Sequence, residues 1–109
     1  MSKNLRKILE ISRLQYLSDQ NKLSLTIQRC QDLQDMNSRL DDSRHLGVQS
    51  STSSTIQNQS FHWGRWIDRT QATINMERFT LTGQEEIARN RLSKSYGRYL
   101  AIKSIAKDN

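Results

Sequence analysis

Proline is absent from this chain, and only four glycines, at 47, 64, 83 and 97, interrupt it. Proline is the residue that ends or kinks a helix, and it marks most turns in proteins built of many short elements. A chain of 109 residues without it can run through long uninterrupted helices. The expected architecture is therefore all-α.

The chain divides into three stretches, at about 3–45, 46–60 and 61–107. The middle one, LGVQSSTSSTIQNQS, is rich in Ser, Thr and Gln and carries no charge, a composition suited to a flexible connection. In the first stretch, apolar residues recur at Leu5, Ile8 and Leu9, then Tyr16, Leu23, Ile27, Cys30, Leu33, Met36 and Leu40. Most of the later steps are threes and fours, which place these residues on one helical face. The stripe weakens where Asp19 and Gln20 occupy its positions, while Leu14, Leu17 and Leu25 lie off it. Ser2 can cap this helix and Gly47 can stop it.

In the third stretch a seam of Trp63, Ile67, Thr70, Ile74, Leu81 and Ala88 contains a clear heptad at 67, 74, 81 and 88. The pattern then resumes four residues on, at Leu92, Tyr99 and Ala106, which reads as a stutter. Gly83 lies in mid-helix, where it costs about 1 kcal/mol relative to Ala. Two helices of similar length joined by a loop favour an antiparallel coiled-coil hairpin, with a parallel dimer of extended chains as the structural competitor. Folding back at the loop brings Leu33 near Ile74, Leu40 near Ile67 and Leu23 near Gln84.

Composition sets the scale of what such a hairpin can bury. Apolar residues make up 34% of the chain and charged residues 26%, enough for a narrow seam and too little for a thick core. No run of about 18 apolar residues is present to span a membrane, and the N-terminal sequence lacks the apolar stretch of a secretory signal. The single cysteine, Cys30, falls on the apolar stripe, and a reducing, cytoplasmic location is expected.

The residue inventory points away from catalysis. His45 and His62 flank the loop without further metal ligands at ligand spacing, so neither a metal nor a cofactor is expected. The pairs Asp41–Asp42 and Glu85–Glu86 are adjacent, and adjacent residues diverge by about 100° on a helix. A non-enzymatic protein that binds other proteins is the expectation.

Two segments are candidates for that binding. In FHWGRWI, residues 61–67, Trp63 and Trp66 are three apart on one helix face. They are expected to seal the loop end against Met36 and Leu40, the alternative being that one ring stays exposed and anchors a partner. Beyond Ile87, six cations run to Lys107 without an acid, and Arg91, Lys94 and Arg98 share a face. In a hairpin Lys3, Arg6 and Lys7 arrive at the same open end, making a basic tip for an acidic partner. Nucleic acid is disfavoured because no binding module is recognisable and the formal charge is only +6. A membrane is disfavoured because the seam already uses the apolar face.

The stretches W-x-x-W-I-D-R at 63–69 and R-L-S-K-S-Y-G-R-Y-L-A-I at 91–102, on a short basic-ended hairpin, resemble the FliJ-type stalk proteins of flagellar and type III export. The resemblance covers most of the chain in architecture and about twenty residues in pattern. It implies a stalk that inserts its open end into a hexameric export ATPase, reaches the export gate with its loop half and receives export chaperones. Any membrane association would then run through those protein partners. The alternative is an unrelated coiled-coil adaptor or assembly protein, and after it a helical nucleic-acid-binding protein.

Overall fold

The computed structural model describes residues 2–49 and 54–108, with side chains at 2–46 and 61–108. It contains two helices, α1 at Lys3–Gln49 and α2 at Ser54–Asp108. The fold is all-α, the two helices pairing antiparallel as a helical hairpin. The connection is shorter than the 46–60 expected: residues 46–49 continue α1 and 54–60 belong to α2. Residues 50–53, the rest of the stretch expected as a flexible loop, lie outside the described residues. Gly47 does not stop α1, since a helical glycine costs only about 1 kcal/mol and a long helix tolerates it. Ser2 does cap the helix: the Leu5 N–H donates to its Oγ at 3.1 Å and the Arg6 N–H to its carbonyl at 3.1 Å.

Burial reveals a more regular seam than the apolar pattern showed. In α1 the buried or half-buried positions include 5, 12, 19, 26, 33 and 40, and 9, 16, 23, 30, 37 and 44. Those are two unbroken seven-residue stripes, as in a coiled coil. They were hidden because Ser12, Asp19, Thr26, Asn37 and Arg44 occupy seam positions with polar side chains. In α2 the stripe 67, 74, 81 and 88 continues through Ser95 and Ile102, and Leu92, Tyr99 and Ala106 form the companion stripe. The stutter expected after Ala88 is absent, because the buried Ser95 fills the heptad position that a search for apolar residues skips. Ile8 and Met36, expected on the α1 stripe, are instead exposed at its edge.

The chain forms two compact units. The first comprises Met1–Gln28 and Gly83–Asn109, and the second Arg29–Thr82. In the first unit, Leu23 and Ala106 are buried, and Tyr16 packs on Tyr96 and Tyr99 with ring centroids 5.0 and 5.8 Å apart. Lys103 places its ammonium 5.7 Å from the Tyr99 ring centre. Two buried polar residues interrupt this seam. Asp19 accepts a hydrogen bond from the Gln15 amide at 3.1 Å, and the Ser95 hydroxyl donates to the Leu92 carbonyl at 3.2 Å. At the surface, Arg13 forks onto Glu10 and holds that carboxyl below its usual range.

In the second unit, Leu33 and Ile67 are fully enclosed and Ile74 is buried. A polar ladder along the seam edge fixes the register. Arg29 donates to Glu77 at 3.0 Å, the Asn37 amide to Asn75 at 2.9 Å and the Gln71 amide to Asp41 at 2.7 Å, while Arg44 bridges Asp68 and Gln71. Polar pairs of this kind specify alignment more than they add stability. A fold-back placing Leu33 beside Ile74 sets Arg29 beside Arg78 and Asn37 beside Thr70, each one residue from an observed partner, since Arg29 donates to Glu77 and the Gln71 amide donates to the Asn37 carbonyl at 3.4 Å.

Gly83 opens the second segment of the first unit. It is in ordinary helical backbone, and a Cβ added there meets nothing within 4 Å. Gly83→Ala is accordingly expected to stabilise the protein by about 0.5–1 kcal/mol, read as a higher urea midpoint by far-ultraviolet circular dichroism. An unchanged or lower midpoint would show that the glycine serves something other than backbone continuity.

Candidate partner-binding surfaces

Charge is distributed unevenly between the units. The first holds eleven Lys and Arg against five Asp and Glu, the second six against six, so the first carries the whole +6 of the chain. Within it, Arg91, Lys94 and Arg98 line one groove of about 250 Å³ together with Gln15, Asp19, Lys22 and Ser95. Helical geometry explains the convergence. Each of the three α2 cations directly precedes a seam residue, Leu92, Ser95 or Tyr99, and Lys22 directly precedes Leu23. Residues in that position flank the seam, so their charged ends reach over the line where the helices meet.

The ion pairs among the described residues are Arg13–Glu10, Arg29–Glu77, Arg44–Asp68 and Arg89–Glu85. None involves Lys22, Arg91, Lys94 or Arg98. The groove thus presents four cations without carboxylate partners at salt-bridge distance. Its only lining acid is the buried Asp19, engaged by Gln15. The sequence brought Arg91, Lys94 and Arg98 together, but Lys22 was missed. It becomes visible only once Asp19 is recognised as a seam position, because the flanking site is then counted from a polar residue. Lys3, Arg6 and Lys7 belong to the same unit and are exposed, but do not line this groove.

Trp63 and Trp66 lie in the second unit and stack on each other, ring centroids 4.9 Å apart and planes 18° from parallel. They remain 43% and 46% exposed, as does Met36 at 42%, so the rings do not close the hairpin end as expected. Ile67 takes the enclosed seam position, and Trp66, one residue earlier, is turned about 100° from it toward the edge. Beside them Phe61 is exposed, with the Arg65 guanidinium 5.8 Å from its ring centre. Trp66→Ala is expected to cost about 1 kcal/mol, the worth of one half-exposed aromatic stack. Urea unfolding followed by circular dichroism measures it. A loss of about 3 kcal/mol would mean that the ring carries core packing.

Among the described residues no group of three His, Cys, Asp or Glu side chains could hold a metal ion, and no helix is long and apolar enough to cross a membrane. Cys30 is half-buried in the seam with a free thiol. Compared with models of known protein families, with curated proteins and with solved structures, the chain matches none.

Proposed function

We propose that this chain is a non-enzymatic helical-hairpin stalk or adaptor of a flagellar or type III protein export apparatus. The observation that carries the reading is the confinement of all net positive charge to one unit, with Arg91, Lys94 and Arg98 unpaired along one groove. Electrostatics of this sort orients an encounter and selects an acidic partner surface more than it supplies raw affinity. The motifs at 63–69 and 91–102 resemble those of FliJ-type stalks, and in this reading the acidic partner is the export ATPase. The stacked Trp63–Trp66 pair gives a second, aromatic surface for the export gate or for chaperones. The protein acts in the cytoplasm in this reading, and reaches the membrane only through those partners.

The test is affinity purification of the tagged protein from its own cells after nuclease treatment, with partners identified by mass spectrometry. Enrichment of a rotary-type ATPase or an export-gate protein is the expected result. Enrichment of other assembly proteins with neither of these would move the function to an unrelated coiled-coil adaptor.

A further inference from the structure

The cationic groove continues past its four charges. At one end Asp19, Lys22 and Arg91 also line a hollow of about 280 Å³ with Gln84, Ile87 and Ala88. At the other, Gln15, Ser95 and Arg98 line one of about 200 Å³ with Ile11 and Ser12. The three hollows share lining residues in series and make one trough along the first unit. Each end carries an isoleucine left open to solvent, Ile87 at 55% and Ile11 at 66% exposed. From Ile87 to Arg98 is eleven helical residues, about 16 Å, the length of three helical turns.

We propose that this trough binds an acidic amphipathic helix of a partner protein, about three turns long, with carboxylates over Lys22, Arg91, Lys94 and Arg98 and an aliphatic side chain at each end. The proposal rests on the reading of this chain as a protein-binding adaptor and specifies the chemistry of the segment it grips. Spacing supports it: cations at 91, 94 and 98 repeat at three and four residues, matching acids placed at three and four residues on a facing helix. The ends decide the class of ligand. Aliphatic ends match leucine or isoleucine side chains, whereas a nucleic-acid backbone offers phosphates throughout and nothing apolar to place on Ile11 or Ile87.

The full chain is titrated into a fluorescein-labelled helical peptide of about 14 residues, with glutamates through its middle turns and a leucine at each end, and anisotropy gives Kd. Micromolar binding is expected at about 0.15 M salt. Lys22→Glu, and the milder Lys22→Gln if the first perturbs folding, weaken it about tenfold or more. Lys107→Glu, the same change of charge outside the trough, changes it less than about twofold. Ile87→Ser weakens the leucine-ended peptide about fivefold and leaves a serine-ended one unaffected. No binding up to about 1 mM, or equal losses with Lys22→Glu and Lys107→Glu, overturns the assignment. So does a single-stranded DNA of equal charge that binds more tightly and responds to Lys22→Glu but not to Ile87→Ser. Peptide binding without an export ATPase in the purification rejects the export reading alone. The ATPase without peptide binding rejects the trough alone.

Discussion

Ile67→Ala is expected to lower the stability of the second unit by about 3 kcal/mol, the usual cost of truncating an enclosed aliphatic side chain in a core that cannot collapse around the gap. Ile67 has no exposed surface, and with Leu33 it is one of the two largest side chains fully enclosed among the described residues. A two-helix seam has a single layer of such residues, so the loss is a large share of the 5–15 kcal/mol typical of a whole domain. The measurement is urea unfolding followed by tryptophan fluorescence. Both tryptophans lie in the second unit and all three tyrosines in the first, so each unit has its own spectroscopic signal. Phe79→Ala is the control: at 84% exposure it is expected to move the midpoint by less than about 0.5 kcal/mol. Equal midpoints for the two variants would mean that the enclosed seam does not hold this unit together.

The double variant Arg91→Glu/Arg98→Glu is expected to keep full helicity and to lose partner binding by about a hundredfold or more. Neither arginine is paired with a carboxylate among the described residues, so reversing them breaks no internal ion pair. Both also have helix propensities close to that of glutamate, which leaves the helix signal in place. Opposite a partner's carboxylates, however, two attractions become two repulsions in a partly desolvated site, and juxtaposed like charges there cost several kcal/mol. Circular dichroism supplies the folding control, and co-purification with the captured partner supplies the readout. Full binding by a helical double variant would remove the basic groove from the function.

The helical class was legible because it depends on local facts: no proline, few glycines and apolar residues at threes and fours. The cations at 91, 94 and 98 were legible for the same reason, since one helix face fixes their neighbours without help from the other helix. The heptad was only half visible. Apolar periodicity detects a seam position by its side chain, and here Asp19, Asn37, Arg44 and Ser95 fill seam positions with polar groups, each of which makes at least one hydrogen bond. Lys22 stayed hidden with them, because its place beside the seam is counted from Asp19.

By itself, then, the sequence determined that this protein is two long amphipathic helices with excess positive charge beyond Ile87, because backbone continuity, side-chain periodicity and charge order are properties of consecutive residues. Tertiary pairing alone decided the rest: the register set by Arg29–Glu77 and Asn37–Asn75, the stacking of Trp63 on Trp66 outside the core, and the meeting of Lys22 with Arg91, Lys94 and Arg98. A shift of one turn moves a residue about 5.4 Å along its partner at little cost to a uniform apolar stripe. Only when the polar side chains of both helices must be satisfied together does one alignment prevail, and that condition is written in no single stretch of the chain.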